Sequence, residues 1–557
     1  MTSKMTIHSD LAKLHNGNSA HKVLIVKEHD KMKPPKPLGE RKKAVLRQEL
    51  MVLLGNTCVA ASGMSIALPS VALAQLTDPN DIYHLNTEES SWFASINSMA
   101  CPLGGLLVGY LMDRIGRRNT MLCTNFIGII GLLLLVTAPH QSTRDAIYIQ
   151  LLIGRFLCGL MIGLSLSPIG AYAAEISLPR IRGRLIMGTS IAIASGILLM
   201  YLLGYFIRNN FKLISIISVV YQCLAFCCCL PMPESPSWLL QKGYVERARK
   251  SLKYFRGLSK NDNNIYEEFE TELALIKKNS DISRTTAANE SLLQAIRAPE
   301  VYKPLIMMIG FFFFQQCSGI VVVIVFAAQI ATRAGVSADP LLVAVFVGVA
   351  RIITTFFMGM IFEKWGRRPA GIFSATGMTI CMLLLAANGW WPVIGEQVPL
   401  LSVFAIVLHI IFSTMGLLTL PFFMISEVFP QRVRGSASGF TLCIGLLFSF
   451  SVVKLYPTLE VWIGTANCFA FFGGISLLGA AFIYFIVPET KGRTLLEIEN
   501  YFRTGRKVSN AEVARRQSQI AMEEAAGIYR SELELNEVFL KLSKVDEDGE
   551  KKLDDKE

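Results

Sequence analysis

Charge is scarce in this sequence. Only 17% of its 557 residues are Asp, Glu, Lys or Arg while 52% are hydrophobic, where soluble domains carry about 25% charged residues. That balance excludes an ordinary soluble globular protein and marks a membrane one. No cysteine lies outside the long apolar runs, although there are twelve, so an extracellular disulfide framework is not expected. No apolar stretch opens the chain, because Met1 to Glu49 is polar; a cleavable signal is not expected, and the first apolar run must target the protein itself. Soluble segments hold no nucleophile–base pair, metal cluster or phosphate loop, so neither an enzyme, a metal nor a cofactor is expected.

What the chain has instead is a set of apolar runs long enough to cross a bilayer, which takes roughly 20 residues as a helix. Twelve are predicted, at 50–75, 91–112, 119–138, 147–174, 185–207, 211–231, 303–330, 340–362, 369–390, 398–426, 435–456 and 465–487. They must be helices, since lipid offers the backbone no hydrogen-bond partners. The loops Gln75 to Ser91 and Pro457 to Thr465 lack Lys and Arg, whereas those holding Arg114, Arg180, Lys364 and Arg432 are basic. Both termini and the long middle loop are therefore expected in the cytosol. The expected organisation is a disordered tail (1–48), a six-helix bundle (49–231), a cytosolic helical loop (232–302), a second six-helix bundle (303–487) and a cytosolic tail (488–557). In the middle loop, Glu246 to Phe255 and Tyr266, Phe269, Leu273 and Ile276 have helix-spaced apolar residues.

The net charge is +11, and eleven Lys/Arg against four acids fall between Met1 and Arg47. Without a folded basic module around them, nucleic acid is not the expected partner; the tail is either solvated or weakly drawn to anionic lipid. Cys227, Cys228 and Cys229 are either packing residues or palmitoylation sites. The sequon Asn289-Glu290-Ser291 falls in the cytosolic loop and is expected to stay unused.

A polar knot, Gly109-Tyr-Leu-Met-Asp-Arg-Ile-Gly-Arg-Arg118, returns in the second half as Glu363-Lys-Trp-Gly-Arg-Arg368. Asp113 and Glu363 are 250 residues apart, Glu175 and Glu427 are 252 apart, and Pro233-Glu234 precedes Pro488-Glu489 by 255. In both halves the acid lies seven residues before an Arg-Gly, Arg182-Gly183 or Arg434-Gly435. Such a duplication is how many transporters are built, with the substrate held where the halves meet. The charges read either as loop charge that sets topology or as a cytosolic latch. In the latch, Asp113, Arg117 and Arg118 exchange partners with Arg155, Glu175 and Arg182, mirrored by Glu363, Arg367, Arg368, Glu427 and Arg434. Gly105 with Gly109, and Gly159 with Gly163, are spaced for close helix approach.

Gln315 and Gln316 lie deep in the seventh run beside Ser318-Gly319-Ile320. Buried amides need partners, so they are either substrate contacts or interhelical bonds, and Gly319 is a place for the helix to unwind. Arg351 is eleven residues from Phe362 and far from either membrane edge; an intramembrane cation is a functional candidate. Lys454 is nearer its span end and is expected to snorkel. Pro421-Phe422-Phe423 offers a pivot in the tenth run.

Together these residues resemble the sugar-porter branch of the major facilitator superfamily, and within it the insect facilitated trehalose and hexose transporter group. The resemblance covers about 50–502 and rests on Gly109 to Arg118, Gly154-Arg155 through Glu175 to Gly183, Pro233 to Trp238, Gln315-Gln316 with Ser318-Gly319-Ile320, and Pro488 to Arg493. It implies an all-α membrane protein of twelve transmembrane helices with a rocker-switch fold, located in the plasma membrane. It also implies a sugar bound mainly by the second half, with substrate contacts at Gln315, Gln316 and Ser318, Arg351 in place of a family Asn, and an aromatic lid at Phe422. Hexose carriers differ from this chain at Val321, Ala194, Leu442 and Cys443. Proton-coupled relatives place a carboxylate in the first span, and Met51 to Gln75 has none, so the resemblance implies passive uniport. Two further readings remain open at this stage: a carrier of a less hydroxylated or anionic solute, with Arg351 as the attracting charge, and a non-transporting sugar receptor.

Overall fold

In the computed structural model the described residues run from 42 to 504, apart from 79–82, 139–142, 209, 259–268, 271, 275, 277–296, 334–338, 392–399, 431–432 and 494. The sequon and both outer tails lie outside them. The first half comprises α1 (Lys42–Leu76), α2 (Thr87–Ile115), α3 (Arg117–Thr137), α4 (Arg144–Ser165), α5 (Pro168–Ile176), α6 (Pro179–Phe206) and α7 (Phe211–Cys229). Two insert helices follow, α8 (Pro236–Gln241) and α9 (Val245–Phe255). The second half is α10 (Pro299–Cys317), α11 (Ile320–Val325), α12 (Ala327–Arg333), α13 (Pro340–Trp365), α14 (Arg367–Trp390), α15 (Leu401–Met415), α16 (Leu420–Val428), α17 (Arg434–Ile463) and α18 (Thr465–Phe485). A short α19 (Leu495–Thr504) closes the described chain.

Eleven of the expected runs are helices, or successive helix pairs, long and apolar enough to cross a membrane. Large apolar side chains such as Phe206, Trp462 and Phe485 are more than three-quarters exposed, the outward belt that lipid requires. The expected seventh run is instead three helices in series. Gly319 adopts φ +84° between α10 and α11, a left-handed conformation that glycine tolerates without a Cβ penalty. The fourth and tenth spans are also broken, and Pro168 and Pro421 sit in the first turn of the second piece, where a missing N–H costs nothing. Pro421 thus starts a helix rather than kinking one.

Within the halves α1 packs on α6, α2 on α4, and α14 on α15 and α18; between them α2 lies along α17 and α6 along α13. Gly159 and Gly163 bring α4 so close to α2 that an added Cβ would strike the Asn97 and Cys101 carbonyls. The close approach expected of spans two and four forms, with the Gly105 backbone against Gly163. A Cβ at Gly105 or Gly109 would meet open space, and it is Gly104 whose Cβ position faces α4, because one helical position turns the contact face by about 100°.

Three boundaries differ from expectation. Helix α1 begins at Lys42 rather than after 48, because Gln48 Nε2 donates to Phe255 O at 3.0 Å and Arg47 Nη1 to Tyr254 O at 3.0 Å, tying its first turns to the insert. Helix α17 continues through Pro457 to Ile463. The C-terminal segment opens with α19, whose Ile498 and Phe502 are buried and whose Phe502 carbonyl accepts from Lys303 Nζ at 2.9 Å.

Candidate functional site

The polar knot and its echo fold alike. Gly116 and Gly366, at φ +97° and +92°, end α2 and α13 and turn the chain directly into α3 and α14. The first backbone N–H groups of those helices then face a carboxylate from the end of their own half. Arg117 N and Arg118 N donate to Glu234 at 2.9 and 3.2 Å, and Arg367 N and Arg368 N to Glu489 at 3.0 Å each. Anions are stabilised at helix N-termini by these orphan donors and by the helix dipole. Burial pushes the Glu234 carboxyl above its ordinary value, opposed by the N–H groups of Ser235, Arg118 and Arg117.

The arginine side chains turn to the fourth and tenth spans. Arg117 binds Glu175 (Nη2–Oε1 2.8 Å) and only grazes exposed Asp113 at 3.9 Å; Arg367 binds Glu427 at 2.7 Å. Each glutamate's second oxygen accepts a hydroxyl, from Ser235 in one half and from Thr490, at 2.6 Å, in the other. Arg118 donates to the Cys229 and Leu230 carbonyls, and Arg368 to the Tyr484 carbonyl while lying 5.1 Å over its ring. Trp238 Nε1 donates to Asp113 O at 3.0 Å, joining the insert to the first knot. Among the described residues, these contacts thus stay within one half for each cluster.

Arg155 does not reach the cluster. It is 0% exposed, and the twenty residues to Glu175 amount to about 30 Å of helix. Its Nη1 donates to Ser65 O at 2.9 Å and its Nε to Phe93 O at 3.2 Å, with the guanidinium 5.3 Å over the Phe93 ring. Pro69 lies inside α1 and has no N–H for the carbonyl four residues earlier; that carbonyl is Ser65, and Arg155 fills the gap. Arg182 is exposed and takes no part in the charged clusters described above. The side chains of Glu363 and Arg434 lie outside the described residues.

The amides form a second group. Gln315 Nε2 donates to Leu418 O at 2.6 Å, a carbonyl in the gap between α15 and α16, and Ser318 Oγ donates to Gln315 O at 2.8 Å. Gln316 Nε2 reaches Gln315 Oε1 at 3.3 Å, while Gln316 Oε1 is buried without a donor. Gln315 thus serves the broken tenth span, and Gln316 keeps a free acceptor. Phe422 is 47% exposed and stands edge-on to buried Phe312 at 5.5 Å. Arg351 has an enclosed Nη1 with no partner. Ala194 is fully buried, and Val321, Leu442 and Cys443 are half-buried. A cleft of about 280 Å³ between α1, α6, α7 and α13 is lined by Leu198, Leu199, Leu202 and Ile352 among others; it does not include the amides.

Among the described residues, hydrogen bonds join the halves at the end away from Lys42 and Thr504. A continuous helix would pair Ala328 N–H with Ile324 O. Here the junction of α11 and α12 splits them, and the first half supplies substitutes: Tyr201 Oη donates to Ile324 O at 2.6 Å, and Ser70 Oγ accepts from Ala328 N at 3.1 Å. Arg208 pairs with Asp339, Ser91 Oγ donates to Lys454 O at 2.9 Å, and Lys454 Nζ sits 4.4 Å over the Trp92 ring. Lys454 therefore packs on an aromatic face of the opposite half. Losing one buried hydroxyl bond costs about 1–1.5 kcal/mol, roughly a tenfold change in an equilibrium. Tyr201→Phe is accordingly expected to raise the population open at this end about tenfold, read as longer spin-label distances between Phe206 and Leu400. Unchanged distances would remove Tyr201 from the seal.

Sequence reasoning missed several residues here. Glu234 and Glu489 were visible as a repeat, but their capping role needs the fold. Tyr201, Ser70 and Trp92 carried no signal, being ordinary in apolar spans. Glu460, buried at the far end and paired with Arg333, fell in the expected loop Pro457 to Thr465, most of which the structure shows as the end of α17. His409 and Thr414 on α15 are buried with unpaired polar atoms.

Comparison with known proteins agrees with this architecture. The family profile described as "Sugar (and other) transporter" matches residues 50–502. The chain is 31% identical over 457 residues to a facilitated trehalose transporter Tret1 of Aedes aegypti, covering 81% of this chain and 54% of that protein. It is 29% identical over 481 residues to its counterpart from Apis mellifera ligustica, covering 83% and 90%. The chain thus spans about half the length of the mosquito relative and most of the honeybee one. Among solved structures, the inward-open xylose transporter XylE from E. coli superposes with a TM-score of 0.67 at 22% identity, covering 81% of this chain and 98% of that one; XylE bound to 6-bromo-6-deoxy-D-glucose gives 0.65 at 23%. With the paired arginine knots and a family match across nearly the whole membrane part, the chain belongs to the sugar transporter family, a multi-pass membrane family of carriers and not of enzymes, and it shares the fold of the major facilitator protein XylE.

Proposed function

We propose that this protein is a facilitative uniporter for a sugar such as trehalose or glucose. It works in the plasma membrane with both termini in the cytosol, by a rocker-switch between states open to either side. The observation that carries this reading is the asymmetry of the two ends. The halves are hydrogen-bonded to one another at the far end, while at the opposite end the described pairs Arg117–Glu175 and Arg367–Glu427 each form within one half. Rocking then exchanges the far-end contacts for contacts at the terminus side, where Arg117–Glu175 and Arg367–Glu427 are the parts of the latch. Gln315, Gln316, Ser318 and Phe422 are the substrate-facing set. Gln316 Oε1 is a ready acceptor for a sugar hydroxyl, since a buried acceptor without a donor is unfavourable when the site is empty.

Uniport is supported by the surroundings of Arg155. The cation donates to backbone and hydroxyl oxygens of Ser65 and Phe93, and α1 has no carboxylate between Met51 and Gln75 whose protonation could be coupled to the rocking. The test is uptake of labelled glucose and trehalose into liposomes holding the purified protein, with and without a pH gradient. Saturable entry indifferent to the gradient is expected, reduced tenfold or more in kcat/KM by Gln315→Ala with Gln316→Ala. Uphill uptake driven by the gradient would overturn uniport. Sugar binding without flux would favour a receptor.

A further inference from the structure

Two arginines lie inside the membrane-spanning helices, and they are treated differently. Arg155 donates through Nε and Nη1 to a carbonyl left open by Pro69 and to one presented by α2, and only its Nη2 is unpaired. Arg351 receives nothing comparable: its Nη1 is enclosed and unpaired. It also points away from lipid. On α13 the exposed residues Phe346, Val349, Ile353, Phe356, Phe357 and Met360 form one outward row, and at 100° per residue Arg351 lies roughly opposite it. That inner face meets α6 of the other half, where Tyr201, within electrostatic reach of Arg351, binds the α11 carbonyl of Ile324.

The three glutamates that lie at least half-buried in α5, α16 and α17 are already engaged. Glu175 is held by Arg117 and Ser235, Glu427 by Arg367 and Thr490, and Glu460 by Arg333 and Thr465. Arg351 is half-buried with one guanidinium nitrogen enclosed; such a cation without a counter-charge is unfavourable, and an arginine cannot escape by losing its proton. We propose that the counter-charge arrives with the ligand, and that Arg351 forms a monoanion subsite at the meeting of α6, α11 and α13. The anion is either the carboxylate of a transported sugar acid or a free inorganic anion such as chloride bound beside a neutral sugar. This rests on the transport reading above and narrows its substrate class. A guanidinium suits the role, since it grips a carboxylate with two parallel N–H bonds.

The experiment uses the full-length protein in liposomes with labelled glucose, trehalose and glucuronate, each in chloride medium and in a medium where a bulky sulfonate replaces chloride. Wild type is compared with Arg351→Gln and with Arg351→Lys, which keeps the charge. Glucuronate entry at least tenfold faster than glucose entry, lost in Arg351→Gln and largely kept in Arg351→Lys, supports a carboxylate on the solute. Glucose or trehalose entry that falls tenfold or more without chloride in wild type, and is slow in both media in Arg351→Gln, supports a free anion. Neutral-sugar entry that ignores chloride and is equal in wild type and Arg351→Gln, with no glucuronate entry, overturns the subsite. If wild type carries none of the three solutes, the sugar-transport reading fails by itself. Binding of labelled glucuronate and labelled chloride to the detergent-solubilised protein then decides the subsite: Arg351-dependent binding of either supports it, and none overturns it.

Discussion

Replacing Arg155 by leucine is expected to lower stability by about 2–4 kcal/mol, because it leaves the Ser65 carbonyl buried without a donor and removes the stacking on Phe93. The diagnostic variant is Pro69→Ala. Alanine restores an N–H at position 69, and in a regular helix that donor points at Ser65 O. In the wild type the carbonyl already has Arg155 at 2.9 Å, so Pro69→Ala alone changes little. In the Arg155→Leu background it is expected to recover about 1–2 kcal/mol. Thermal unfolding of the four proteins in detergent measures the coupling. Equal effects of Pro69→Ala in both backgrounds would show that the arginine does not stand in for the missing helical donor.

The second large effect is expected at Gly116 and Gly366. Their backbones, at φ +97° with ψ 171° and φ +92° with ψ 175°, lie in a region that only glycine enters freely, at a cost of about 1–3 kcal/mol for other residues. An alanine Cβ would in addition collide with the capping carboxylates; at position 366 it would lie 2.7 Å from Glu489 Oε2. Each Gly→Ala variant is therefore expected to lose about 2–4 kcal/mol, strain and weakened cap together. Since the two sites lie in different halves and share no partner, the double variant should add. A loss of only a few tenths of a kcal/mol would mean that the loop relaxes around the methyl group.

Both predictions depend on groups that the sequence marks without explaining. The repeat at 250–255 residues announced two equivalent halves, and it already contained Glu234 and Glu489. A capping carboxylate, however, looks like any loop acid until the helix N-terminus it faces is in place. Arg155 shows the opposite failure. Placed beside Glu175 by one-dimensional logic, it falls at the other end of the same span, since about 1.5 Å of rise per residue separates groups that the motif lists together. The amides were legible as polar groups that need partners, but one of them binds Leu418, whose carbonyl is exposed only because the tenth span is broken.

Sequence alone determined the helical type and place of eleven membrane crossings and the sites of the arginine knots. These depend on local quantities: run length against bilayer thickness, charge near span ends and the repeat interval. Tertiary structure decided which partner each charge takes, which glycine faces a neighbour, and which end of the molecule is joined. Those outcomes depend on groups far apart in the chain. Tyr201 and Ile324, for example, meet only because α11 and α12 leave one helical hydrogen bond unmade and the opposite half completes it.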